Sequence, residues 1–254
     1  VIVNQNKVKM CRKKLKVSAG LILLLFISFI TVVKASGQTS HMYPPYTKWY
    51  QDPLGLRPIQ LSTAFGFVCG SAAVAASLLF TQKDSALQKR LSPYWEGGYG
   101  VGYKPPYTNV LQNDVGILYK MRKWMSLGVC LNFSHFTDQV NNTWTVGMMP
   151  FARWYLYKSK PLNLFFQYGA GISYSFERFP LTGTGWEADT ARTGTQFNFL
   201  SKYGVGIEVH LKKRFSFETG IRHFHLSNGN IKGIQRNPSH DSNMFFAGII
   251  YNNF

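Results

Sequence analysis

Residues 161–177 read PLNLFFQYGAGISYSFE, and their period is two. The even positions are Leu162, Leu164, Phe166, Tyr168, Ala170, Ile172, Tyr174 and Phe176. The odd ones are Asn163, Phe165, Gln167, Gly169, Gly171, Ser173, Ser175 and Glu177. Successive side chains of a strand point to opposite faces, so one face here is continuously apolar and the other mostly small and polar. The pattern returns over residues 197–211, where Phe197, Phe199, Tyr203, Val205, Ile207, Val209 and Leu211 oppose Asn198, Lys202, Gly204, Gly206, Glu208 and His210. It returns again over 124–134 and in the face formed by Trp144, Val146, Met148, Trp154 and Leu156. Shorter versions run through 93–103, 115–121, 215–225 and 243–251. The sequence therefore predicts eight strands after residue 90.

A β-sandwich also alternates, so the chemistry of the second face decides between architectures. That face carries Glu96, Asp114, Lys120, Arg153, Glu177, Glu208, Glu218 and Arg222, acids and bases in comparable numbers. Such residues can pair across the lumen of a small barrel while the large apolar residues face lipid. Strands of this length suit a tilted crossing of the hydrocarbon layer, which needs about ten residues. The chain also ends on an aromatic, Phe254, directly after the last strand. The expected fold is all-β, an eight-stranded antiparallel transmembrane β-barrel. With an even strand number and both termini on the periplasmic side, the loop between strands seven and eight faces the exterior.

The N-terminal residues give the compartment. Met10 is followed by Arg12, Lys13, Lys14 and Lys16, then by an apolar run from about Ala19 to Val33, then by Ala35, Ser36 and Gly37. This is the pattern of a secretory signal peptide cleaved after Ala35 or Gly37. A single membrane anchor helix is the alternative, disfavoured by the small residues and the polar stretch that follow at once. The expected division is 1–37 for upstream residues plus signal peptide, 38–90 for an N-terminal extension, and 91–254 for the β-barrel domain. Within the extension, 59–80 is weakly apolar and rich in Ala, Ser and Gly, and reads as a helix or another non-barrel element.

The net charge of +17 would ordinarily raise nucleic acid as a partner. Export argues against it, and residues 1–37 hold seven of the cations and no acid. An anionic lipid surface fits better. Cys11 leaves with the signal, and Cys69 and Cys130 have no metal or redox spacing. No Cys/His cluster offers a closed metal site, so neither metal nor cofactor is expected.

Strand seven carries a polar row on the wrong face. Its apolar parity, Phe215, Phe217, Thr219 and Ile221, continues as His223, His225 and Ser227. Polar side chains on the lipid-facing side are costly and call for a reason. Two residues apart on a strand, His225 and Ser227 share a face, with Cα atoms roughly 6.5–7 Å apart. An imidazole so placed can take the proton of a serine hydroxyl during attack. The third requirement is an acid, and hairpin geometry can bring Asp241, at the start of the returning strand, beside His225.

The wider segment, His225-Leu-Ser-Asn-Gly-Asn followed by Asn237-Pro-Ser-His-Asp241, resembles the closing hairpin of the lipid A 3-O-deacylase (PagL) / acyloxyacyl hydrolase family of outer-membrane enzymes. The resemblance extends upstream through Gly194-Thr-Gln-Phe-Asn-Phe199, Gly204-Val-Gly206 and Pro150-Phe-Ala-Arg153, and covers roughly residues 92–254. It implies an eight-stranded barrel with an acyl-ester hydrolase site facing the outer leaflet. Carried over residue by residue, it implies Ser227 as nucleophile, His225 as general base and Asp241 as the acid. Asn228 and Asn237 match the asparagines around the oxyanion site. Two departures stand out: aspartate occupies a position where glutamate is familiar, and the stretch between Asn230 and Asn237 lengthens the spacing from Ser227 to the acid. His240 reads as a loop histidine and His223 as an interfacial neighbour.

The function expected is that of a serine carboxylic-ester hydrolase in the bacterial outer membrane, removing a 3-O-linked hydroxyacyl chain from lipid A in lipopolysaccharide. Its partner is then the outer leaflet; a homodimer is left open. The alternative from another class is a non-catalytic structural or adhesion barrel. A conducting pore is disfavoured because side chains fill an eight-stranded interior.

Overall fold

The computed structural model describes residues 64–80, 91–104, 106–137, 142–181, 193–211, 214–232, 236–237 and 239–252. The expected signal peptide and residues 38–63 and 81–90 of the expected extension lie outside them. Among the described residues one helix, α1 (Ala64–Leu79), precedes eight strands. These are β1 (Leu91–Lys104), β2 (Pro106–Arg122), β3 (Met125–Thr137), β4 (Asn142–Lys158), β5 (Leu162–Leu181), β6 (Thr193–His210), β7 (Phe215–Ser227) and β8 (His240–Tyr251). They form a closed barrel in sequence order, and β8 pairs antiparallel with β1. Closure leaves no unpaired edge, which the hydrocarbon layer requires because it offers no partner to a free N–H or C=O.

The connections differ at the two ends. The β2–β3, β4–β5 and β6–β7 connections at one end are all short; at the other, β1–β2 and β3–β4 are short as well, but β5–β6 and β7–β8 are joined by residues 182–192 and 228–239. Short turns mark the periplasmic end of such barrels and long loops the outer one. The outward face keeps the alternation of the sequence: Leu111, Val115, Ile117, Val129, Leu131, Trp144, Val146 and Phe245 are all exposed. On a water-soluble protein such a band would be a liability, and in a bilayer it is the lipid-facing surface.

The lumen is filled by paired charges. Arg153 Nη1 lies 2.7 Å from Glu218 Oε2, Lys202 pairs with Asp114, and Arg222 pairs with Glu96. Gln112 donates to Glu96 at 3.1 Å, Asn132 to Asp114 at 2.6 Å, and Arg153 Nε to Gln167 Oε1 at 3.0 Å. Arg153, Glu96 and Glu218 are fully buried. Charges held this deep persist only when paired and hydrogen-bonded.

Two features depart from the sequence reading. The inner face also holds large apolar residues, including Phe136, Met149, Phe151, Phe179, Leu200, Phe224 and Met244. Glu177, read as lumenal, is exposed at the outer end of β5. On β8 both faces are apolar, with Met244, Phe246 and Ile250 inside and Phe245 and Ile249 outside.

Helix α1 lies against the outer wall of the barrel. Gly70 meets the ring of Tyr168 so closely that a Cβ there would overlap it, and Tyr168 belongs to the outward parity of β5. Trp154 Nε1 donates to Ser77 Oγ at 3.3 Å. Arg122, near the β2–β3 turn, donates to the Leu78 carbonyl at 3.4 Å, at the helix C-terminus where orphan carbonyls favour a cation. Small residues at Gly66, Gly70 and Ser77 let the helix approach closely, as in membrane helix packing. No described helix is long and apolar enough to cross a membrane, which says nothing of the strands.

Candidate active site

The register of the last hairpin brings the expected residues together. His225 on β7 pairs with Asp241 on β8, and both side chains take the outward parity. His225 Nδ1 lies 2.6 Å from Asp241 Oδ1, and His225 Nε2 lies 2.9 Å from Ser227 Oγ. A carboxylate only accepts, so Nδ1 carries the proton and Nε2 is left to receive the serine hydroxyl. One imidazole thus links an acid and an alcohol in one chain of hydrogen bonds. Asp241, one methylene shorter than glutamate, reaches its partner because direct cross-strand pairing holds the two backbones close. Ser227 is 8% exposed and Asp241 8%, so the row is largely enclosed.

His223, read as an interfacial neighbour, sits deeper than that reading implies. It is fully buried, and its Nε2 lies 3.3 Å from the Asp241 oxygen that also meets His225. Two imidazoles therefore converge on one carboxylate. The sequence signal for this was present, since His223 shares the outward parity two residues before His225. His240, read as a loop histidine, is the first residue of β8 and points inward. Its ring packs among Phe136, Phe224 and Phe179 at centroid distances of 5.0, 6.2 and 5.7 Å.

Asn228 and Asn237 are also brought together, with their hydrogen bonds directed into the loop. The Asn228 N–H donates to Asn237 Oδ1 at 2.9 Å, and the Asn228 side-chain amide donates to the Arg236 carbonyl at 2.5 Å. The Asn237 amide donates to Asn230 Oδ1 at 2.7 Å, and the Asn230 N–H to Asn228 Oδ1 at 3.0 Å. This network holds Gly229 (φ 62°) and Asn230 (φ 63°) in the left-handed region, which asparagine and glycine tolerate best. The two ends of the 230–237 stretch are thereby joined directly after Ser227.

Among the described residues, His223, His225 and Asp241 offer ligand atoms that all lie within 4.8 Å of one another. Two ligands of a tetrahedral zinc ion sit about 3.3 Å apart, given bond lengths near 2.0 Å. The 2.6 Å between His225 and Asp241 is a charge-assisted hydrogen bond rather than a coordination spacing.

The sequence profile of the lipid A 3-O-deacylase (PagL) family matches residues 119–249. The match starts near the end of β2, stops within β8, and spans all of His225, Ser227 and Asp241. No curated protein sequence matches the chain. Solved structures of similar shape include the outer membrane enzyme PagL, with 14% identity over 61% of this chain and 97% of that one and a TM-score of 0.47. The N-terminal β-barrel domain of Pseudomonas aeruginosa OprF has 13% identity over 65% and 100%, with a TM-score of 0.39. Neisserial surface protein A has 8% identity over 64% and 95%, with a TM-score of 0.44. With the closed eight-stranded barrel and a profile match over more than half of its length, the chain belongs to the lipid A 3-O-deacylase (PagL) family of outer-membrane β-barrel proteins.

Proposed function

We propose that this barrel hydrolyses an ester-linked hydroxyacyl chain on lipid A, with Ser227 as nucleophile, His225 as general base and Asp241 as the acid that orients it. The observation that carries the reading is the single imidazole bonded to both Ser227 and Asp241 on the lipid-facing wall, at the long-loop end of the barrel. Lipid A lies in that leaflet, so its acyl chains can remain in hydrocarbon while the ester meets the serine.

Ser227 Oγ attacks the ester carbonyl carbon as its proton passes to His225 Nε2. The carbonyl π electrons move to oxygen and return as the bond to the sugar oxygen breaks. His225 gives its proton to that leaving oxygen. Water, deprotonated by the same nitrogen, then opens the Ser227 acyl ester and releases the hydroxy acid. Asp241 stabilises the imidazolium formed in each half. The Asn228 N–H, on the residue after the nucleophile, is the backbone donor offered to the developing oxyanion. It would exchange Asn237 Oδ1 for the substrate oxygen, and Asn237 thereby serves as its placeholder.

The hydrolase unit comprises residues 91–254. The test is mass spectrometry of lipid A from cells carrying the wild type or Ser227→Ala. Loss of one hydroxyacyl chain with the wild type, and a fall of about 10⁶-fold in rate with the variant, is expected from serine hydrolases that lose their nucleophile. Unchanged lipid A from cells whose outer membrane contains the folded wild-type barrel would favour a structural or adhesion role.

A further inference from the structure

Strand β6 interrupts its outward apolar parity beside the candidate triad. Phe197 and Phe199 lie toward the outer end and Val205 and Ile207 toward the other, with Ser201 and Tyr203 between them. Ser201 pairs directly with His225, and Tyr203 with His223. Ser201 is 6% exposed and Tyr203 2%. Neither hydroxyl has a hydrogen-bond partner among the described residues. His225 cannot supply one to Ser201, because its two nitrogens are engaged by Asp241 and Ser227. A buried hydroxyl without a partner is costly, and hydrocarbon supplies none. Lumenal hydroxyls such as Thr145 and Ser173 share this condition, but Ser201 and Tyr203 carry it on the outward parity beside Ser227, where a polar group of a bound molecule would satisfy it.

The polarity of the wall with depth says where that group sits. Ser227 pairs with Phe199, the next outward row is His225 and Ser201, and the one after is His223 and Tyr203. Below these, Ile221 faces Val205, Thr219 faces Ile207 and Phe217 faces Val209. Rows of one parity are about 6.6–7 Å apart along a strand, and Ser201 is a diagonal neighbour of Ser227, roughly 7–8 Å away. A chain hanging from an ester at Ser227 thus passes polar groups over its first carbons and apolar wall thereafter. An acyl chain with a hydroxyl two carbons beyond its carbonyl has that profile.

Resting on the deacylase reading above, we propose that Ser201 is a specificity residue whose hydroxyl hydrogen-bonds the 3-hydroxyl of the acyl chain being removed. Tyr203 lines the same side one row deeper.

The experiment uses the purified full barrel in mixed micelles and two glucosamine 3-O-esters of equal chain length, one 3-hydroxylated and one unsubstituted. The quantity read is the ratio of their kcat/KM values, taken within one preparation so that the folded fraction cancels. The wild type is expected to favour the hydroxylated ester, and Ser201→Ala to lower that preference about tenfold, as when a site built to bond a hydroxyl loses its partner. Tyr203→Phe is expected to keep the preference. An unchanged ratio in Ser201→Ala, no preference in the wild type, or loss of preference in Tyr203→Phe alone each overturns the assignment. Cleavage of neither ester by the wild type overturns the deacylase reading and this inference with it.

Discussion

Strand β7 separates two polar clusters that stand back to back. On its inner face Glu218 and Arg222 join the lumenal network, each paired with an opposite charge. On its outer face His223, His225 and Ser227 gather around one acid from β8. The residues alternate along the same few turns of backbone, so the two clusters share a scaffold and differ in closure. Inside, the ionic groups answer one another, and the hydroxyls left over, Thr145, Ser173 and Ser242, are sealed in the lumen away from any substrate. Outside, the chain of hydrogen bonds ends on a serine hydroxyl, with two unpartnered hydroxyls beside it. What teaches is the asymmetry: paired charges sealed in the lumen specify and rigidify, whereas a polar row on the outer wall has capacity for a reacting partner.

The comparison can be broken at its strongest point by Asp241→Asn. The imidazole would lose its orienting carboxylate and take the wrong tautomer, so kcat is expected to fall about 10⁴-fold while the barrel folds normally. A variant that unfolds instead would make Asp241 part of the scaffold. On the other face, Glu218→Ala strands a fully buried Arg153 and is expected to cost about 3–5 kcal/mol in urea unfolding. Activity per folded molecule should change little. Replacing both Arg153 and Glu218 by Met should return most of that stability, because an apolar pair leaves no orphan charge. A collapse of activity in the folded double variant would show that the two faces are coupled. The smallest effect is sought at the helix: Gly70→Val pushes α1 from Tyr168, at an overpacking cost of about 1–3 kcal/mol. Limited proteolysis should then cut α1 earlier while the barrel's own unfolding midpoint holds.

Much of this was legible in the chain because a strand's parity is written residue by residue. The eight strands, their lipid face and the misplaced polar row at His223, His225 and Ser227 all follow from a period of two. Cross-strand register is not written that way. That Ser201 faces His225 depends on the pairing of β6 with β7, although a gap at 201 in the apolar set Phe197, Phe199, Tyr203 already marked the place. The apolar lumenal layers escaped for a related reason. Met244, Phe246 and Ile250 are inside only because β8 carries large side chains on both faces, and alternation cannot rank two apolar faces. His240 looked like a loop residue because its partners, Phe136, Phe179 and Phe224, come from three other strands.

The seam of the barrel has a consequence for its biogenesis. Asp241 lies in β8, whose backbone pairs on one side with His225 in β7 and on the other with Lys104 in β1. The candidate acid therefore occupies the joint at which the first strand meets the last. A lone hairpin is marginally stable in water at best, so the hydrogen-bonded row from Asp241 to Ser227 becomes durable only when the cylinder closes. Any chain still in transit, with its strands unjoined, would carry all three residues without the row that joins them. If the proposed reading holds, insertion and activation are one event, which keeps an ester-cleaving surface away from every other lipid the chain passes on its way out.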